Sequence, residues 1–186
     1  MRGDAPRTKG ALRIRQETEP DYDEVYRLIE RAFQTAEHAD GNEQDLVAAL
    51  RKGPAWVPEL SLVAEIDGRL AGHIAFSKAA VGGDTVLALA PLSVAPEFQG
   101  RGVGSALMKE AHRIAGELGY GYSLVLGSET YYPRAGYLPA ARLGVEAPEG
   151  FPSENFMALK LREDAKPIGG AVTYAKEFGI PAPAGE

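Results

Sequence analysis

The sequence predicts an α/β domain in which helices flank a mixed, mostly antiparallel sheet. Three observations carry that reading. Hydrophobic spacing switches along the chain between the two-residue period of strands and the three-to-four-residue period of helices. Three strand-like runs follow one another across tight-turn residues, which makes an antiparallel meander. A further apolar run comes after a helix, so the crossover lays it parallel to the strand before that helix. A length of 186 residues suits one domain with a substantial core, and 45% hydrophobic with 25% charged residues is an ordinary globular composition.

Residues 12–15, Leu-Arg-Ile-Arg, alternate and predict a first strand. Val25, Leu28, Ile29, Ala32 and Phe33 then fall on one face of a helix. Pro20 suits its first turn, Thr18 or Glu19 caps it, and Asp21, Asp23 and Glu24 favour the positive helix start. A second helix over residues 43–51 is expected to bury Leu46, Val47 and Leu50. Strands over 61–66 and 70–79 meet at Asp67-Gly68, a dipeptide suited to a type I′ turn because both central residues need positive φ. Gly82-Gly83-Asp84 turns the chain into a third strand over 85–94. The helical period returns over 102–118, with Leu107, Ala111, Ile114 and Leu118 directed inward. Residues 123–126 and 156–161 predict two more strands.

Composition excludes several functions. A net charge of −6 disfavours nucleic acid and anionic membranes as partners, and suits a cationic acceptor or simple solubility. The absence of cysteine removes disulfides, thiolate metal sites and a cysteine nucleophile. Residues 1–10 are polar and mixed in charge, which reads as a flexible arm rather than a signal peptide. No apolar run approaches bilayer length. A cytoplasmic protein is the expectation.

The segment richest in chemistry is Pro91-Leu92-Ser93-Val94-Ala95-Pro96-Glu97-Phe98-Gln99-Gly100-Arg101-Gly102-Val103-Gly104-Ser105. A strand runs into alternating glycines that open a helix. Such glycines let backbone N–H groups converge, and a helix start adds unpaired donors and partial positive charge. The loop therefore suits a pyrophosphate, though a glycine turn that only caps a helix has the same look. It is not a P-loop, because no lysine accompanies Gly104-Ser105-Ala106. It is not a Rossmann fingerprint either, since the third glycine position falls on Ser105 or Leu107.

Gln99, Gly102 and Gly104 match the Gln/Arg-x-x-Gly-x-Gly/Ala signature, and here the chain resembles the GNAT N-acetyltransferases. A second marker, Tyr131-Tyr132-Pro133-Arg134-Ala135-Gly136-Tyr137, is similar to the family's Tyr-x-x-x-Gly-Phe element. It is closest to a bacterial branch with a Tyr-Tyr-Pro-Arg-x-Gly-Phe run after the fifth strand, and the likeness spans residues 12–161. The resemblance implies a single acetyltransferase domain over 11–161, whose sheet carries a splayed parallel pair. It implies acetyl-CoA as cosubstrate, with the pyrophosphate held by Gln99, Gly100, Arg101, Gly102, Val103, Gly104 and Ser105, and the pantetheine arm on the backbone of Leu92, Ser93 and Val94. Separately, no residues have metal-ligand spacing such as a His-x-x-x-His pair, so no metal is expected. Pro91 supports a groove there independently, because a strand proline lacks a ladder donor and marks an edge or bulge. By the same match Tyr132 is the candidate general acid for the departing thiolate, or else an aromatic lid. The family's Asn-x-x-Ala ahead of the tyrosine is replaced here by Val125 and Ser128.

The implied reaction moves an acetyl group to a primary amine, on a small molecule or a peptide, by direct attack in a ternary complex. A non-catalytic acyl-CoA sensor of the same fold is the competing reading. Glu129 and Glu43 are carboxylates that could serve as base for the amine, but each reads more readily as a solvated surface carboxylate, and the sequence singles out no base. Of the three histidines, His73 reads as a hydrogen-bonded structural residue, His38 as part of a loop and His112 as solvated. Residues 162–186 form an extension whose Val172, Tyr174 and Phe178 are apolar enough to dock, to cover the acceptor or to support a homodimer. Loops over 34–42 and 140–155 are the expected carriers of acceptor specificity.

Overall fold

The computed structural model describes residues 10–36 and 39–184. The predicted arm up to Lys9, and His38, lie outside the described residues. Strand β1 (Leu12–Gln16) leads through a 3-10 turn (Glu19–Asp21) into helices α1 (Tyr22–Phe33) and α2 (Glu43–Leu50). Strands β2 (Leu62–Ile66), β3 (Arg69–Val81) and β4 (Asp84–Val94) form the expected meander. Helix α3 (Val103–Glu117) precedes β5 (Tyr122–Leu126), and β6 (Leu138–Pro139), β7 (Val145–Glu146), β8 (Phe156–Lys160) and β9 (Gly170–Thr173) complete the chain.

The sheet runs β1-β2-β3-β4-β5-β8-β6. Every pair along that path is antiparallel except β4 with β5. Asp67 and Gly68 take φ of 52° and 74°, the positive values that the β2–β3 turn demands. The fold is thus the α/β arrangement expected, with a mixed sheet whose main path holds the parallel pair β4–β5, while off that path β7 pairs parallel with β9.

Helices cover both faces of this sheet. A Cβ on Gly72 would meet Leu107 Cδ1 and Val103 Cγ1, each at 2.9 Å, so α3 lies directly on β3 at that point. The next residue, His73, points to the opposite face, as strand alternation requires. There its Nε2 lies 3.0 Å from the Ser61 hydroxyl, which donates to Glu17 at 2.7 Å. Glu17 is paired with Arg51, just past α2, and the Arg51 guanidinium sits 4.0 Å from the ring centre of Tyr22 in α1. The first two helices therefore occupy the face opposite α3.

Three details depart from the periodic reading. In α2 the buried stripe is Gln44, Val47 and Leu50, while Leu46 falls to the side and is half-buried. Gln44 tolerates burial because its amide donates to the Gly41 carbonyl at 3.1 Å. Leu118, expected inward, is 46% exposed because it caps α3 just as the chain turns away. His112 is not solvated: its Nε2 lies 3.0 Å from the Tyr137 hydroxyl.

Burial pushes the His73 imidazole down to about 3, helped by the Arg51 charge, and pushes His112 down to about 4. Both start from about 6.5 in an unfolded chain. Below that value the unfolded state binds more protons than the native one, so the stability that rests on neutral imidazoles is complete above it and drains as pH falls towards 3. The urea midpoint should therefore drop steeply between pH 6.5 and 4. A variant carrying His73→Gln and His112→Gln should lose much of that slope, and an unchanged slope would refute the assignment.

Candidate active site

β4 and β5 are paired at only two positions, Leu87 with Ser123 and Ala88 with Leu124. Beyond them β4 continues to Val94 and β5 to Leu126 without pairing, so the strands part. Opposite β3, Ala75 faces both Ala90 and Pro91, the bulge that the proline foretold. The Ala95 amide donates to Ala71 on β3 at 2.9 Å. By alternation, Leu92 and Val94 then turn their backbone groups towards the gap, and Ser93 turns its own towards His73 on β3. The Gln99 side-chain amide confirms the direction by donating to the Val94 carbonyl at 3.2 Å. The Ser93 hydroxyl is buried on the α1–α2 face without a partner among the described residues.

At the end of β4 a 3-10 turn, Pro96–Phe98, is fixed from two sides. Glu97 pairs with Arg31 of α1 at 2.5 Å and with Arg69 of β3 at 3.1 Å. The Phe98 ring lies under the guanidinium groups of Arg69 and Arg101, at 5.1 and 5.5 Å. Gly100 and Gly102 then adopt φ of 72° and 80°, which a side chain would resist. The first amide to bond back into α3 is that of Ala106, to the Gly102 carbonyl at 3.0 Å. The six preceding amides, of residues 100–105, donate to no described residue. They form a run of unpaired donors at a helix start, beside the parted strands.

Across the gap, the chain leaves β5 through Gly127 and Ser128 into a 3-10 turn, Tyr132–Ala135. No α-helix stands here; that single turn takes its place. Ser128 shapes it, its hydroxyl accepting from the Tyr131 amide at 3.2 Å and its carbonyl from the Tyr132 amide at 3.3 Å. The Tyr132 ring lies against Gly127 so closely that a Cβ there would strike Cε2. It is further boxed edge-to-face by Tyr131 (5.3 Å, 89°) and Tyr137 (5.7 Å, 74°). Burial, and then the neighbouring Tyr131, hold the Tyr132 phenol well above its ordinary range, so at neutral pH it is a proton donor.

Residues 22–144 match the acetyltransferase (GNAT) family. The chain belongs to that family. As a GNAT protein it is an acyltransferase, with related N-acetyltransferases of Escherichia coli strain K12. The uncharacterised N-acetyltransferase YjhQ is 38% identical over 130 residues, covering 67% of this chain and 72% of its own. YhbS, also uncharacterised, is 30% identical over 169 residues, covering 89% and 97%. Among solved structures, a GNAT family acetyltransferase from Brucella melitensis in complex with acetyl-CoA superposes with a TM-score of 0.75 at 32% identity, over 91% of this chain and 99% of that one. The Escherichia coli YhbS structure in complex with CoA gives 0.81 at 27% identity, over 96% of each chain.

Within this GNAT site, sequence reasoning missed three supports. The Tyr137 hydroxyl sits 2.7 Å from Ser123 on β5 and 3.0 Å from His112 on α3, which ties the tyrosine turn to both elements. A tyrosine in place of the family's phenylalanine was the available signal. Asn155 donates to the Gly127 carbonyl at 3.0 Å and to Glu129 at 2.9 Å, so it steadies the approach to Tyr132 and engages one candidate base. Ser128 forms the turn, and nothing local in the sequence marks that role. Glu43, the other candidate base, accepts from the Asp40 amide at 2.8 Å through one oxygen and buries the other without a partner among the described residues. No group of histidines or acids able to hold a metal occurs among the described residues. No helix among them is long and apolar enough to cross a membrane.

The C-terminal extension contacts the far end of the sheet. β9 pairs with Ala80 and Val81 of β3 and with β7. Tyr174 and Phe178 pack together at 5.1 Å within a second apolar cluster containing Val172, Tyr122 and Phe156.

Proposed function

We propose that this GNAT protein transfers an acetyl group from acetyl-CoA to a primary amine by direct attack in a ternary complex. One observation carries the reading: six consecutive amides leading into α3 donate to no described residue, at the end of a strand from which β5 has parted. Amides so arranged suit a diphosphate, and the gap-facing backbone of Leu92 and Val94 suits an extended amide-bearing arm. The acetyl-CoA and CoA found with the Brucella melitensis protein and with YhbS support that assignment.

Bound acetyl-CoA supplies an activated thioester. The chain's residues hold it and manage one proton at the sulfur. The neutral amine nitrogen forms a bond to the acetyl carbon, the carbon–sulfur bond breaks, the Tyr132 hydroxyl donates to the departing thiolate, and the proton that the nitrogen sheds as the amide forms passes through solvent to restore that hydroxyl. An alkylammonium with an ordinary pKa near ~10 first gives its proton to a carboxylate or to a water chain ending in one. With no cysteine in the sequence, transfer without a cysteine acyl-enzyme is the consistent route.

Thermal unfolding with acetyl-CoA, ATP and NAD tests the cosubstrate. Selective binding raises apparent stability by mass action, by about 2.7 kcal/mol at a hundredfold excess over Kd. A rise with acetyl-CoA alone is expected. A rise only with ATP or NAD would overturn the proposal.

A further inference from the structure

The Tyr131 side chain does something the reaction above does not use. It leaves the turn after β5, crosses the gap, and places its hydroxyl 2.5 Å from where a Cβ on Gly104 would stand. That position is in the first turn of α3, among the unpaired amides. Leu92 and Val94 side-chain carbons lie 3.6 and 3.5 Å from the same point, so the hydroxyl reaches the β4 wall of the gap as well. Its backbone is fixed by two bonds to Ser128, at 3.2 and 3.3 Å. The ring packs against the core and stands perpendicular to Tyr132. The hydroxyl itself makes no hydrogen bond to a described residue, although a donor brought to a cluster of donors needs an acceptor to justify its place.

We infer that Tyr131 is a cosubstrate-binding residue, whose hydroxyl donates to a diphosphate oxygen gathered by the amides at the start of α3. The two adjacent tyrosines then divide the work. Tyr131 holds the diphosphate, and Tyr132 serves the sulfur. The small residue at 104 follows from the same contact, because any side chain there would expel the phenol. This inference rests on the acetyl-CoA reading and goes beyond it in naming the residue that closes the diphosphate site from across the gap.

Calorimetric titration of coenzyme A, and of its diphosphate-bearing half, 3′-phosphoadenosine 5′-diphosphate, into wild type and Tyr131→Phe tests it. Phenylalanine keeps the ring packing, so unfolding without ligand should be unchanged. Both ligands should bind about tenfold more weakly, the size of one lost hydrogen bond to a charged acceptor, while kcat at saturation is retained. Gly104→Ala should displace the hydroxyl and produce a similar loss alone, yet add little in the Tyr131→Phe background. Equal affinity for wild type and Tyr131→Phe, additive losses in the double variant, or a fall in kcat with affinity kept would each overturn the assignment. Failure of the wild-type chain to bind coenzyme A would instead remove the acetyl-CoA reading itself.

Discussion

Tyr132→Phe is expected to lower kcat by about 10²-fold or more while leaving the affinity for coenzyme A intact. The substitution removes one oxygen and nothing else. Tyr131, Tyr137 and the flat face of Gly127 enclose the ring, and phenylalanine keeps all of those contacts. The hydroxyl makes no hydrogen bond to a described residue, so the fold should not suffer from its loss. Any effect then reports on the proton that the phenol would donate to sulfur. If Tyr132 only lined the groove, Phe would preserve turnover, and full activity in the variant would discard the general-acid role. The measurement needs steady-state kinetics on an amine panel alongside calorimetric affinity. A sensor protein would show the affinity with no turnover in either form.

The largest effect on stability is expected from Arg51→Met. Its partner Glu17 has a side chain only 2% exposed, and Arg51 itself is 9% exposed. Removing the guanidinium strands a carboxylate in the interior, which typically costs about 3–5 kcal/mol. Ser61 still donates to Glu17, but a neutral hydroxyl does not replace a cation. Joining Glu17→Gln to Arg51→Met removes the stranded charge, so the double variant should be more stable than Arg51→Met alone. Urea unfolding of the three proteins decides it. A single variant as stable as wild type would show that the pair contributes nothing, as exposed pairs often do.

The parts of the fold that were readable in the sequence are those governed by local spacing. Val25, Leu28 and Ile29 mark α1, and Leu107 and Ala111 mark α3, because a helix writes its buried face into every third or fourth residue. Gly100 and Gly102 mark the loop, because positive φ restricts the choice of residue. What escaped depends on distant partners. β6 and β7 are two residues long and exist only because β8 and β9 lie beside them. His112 sits on the edge of the α3 stripe, where spacing alone does not distinguish solvent from the Tyr137 hydroxyl. Tyr131 and Gly104 are 27 positions apart, and only the parting of β4 from β5 makes them neighbours.

The β3 strand outruns β2, which pairs with it only as far as Ile74. Trp56 bridges to Ser77, the Ala55 carbonyl accepts from Lys78, and β9 reaches Ala80 and Val81. Without these pieces the overhang would present bare peptide groups of an apolar strand, the kind of template on which separate chains join sheet to sheet. The strand at Gly170–Thr173 thus covers the peptide groups of Ala80 and Val81, and a version cut short before Gly170 is expected to self-associate more readily, even with the glycine loop before α3 left whole.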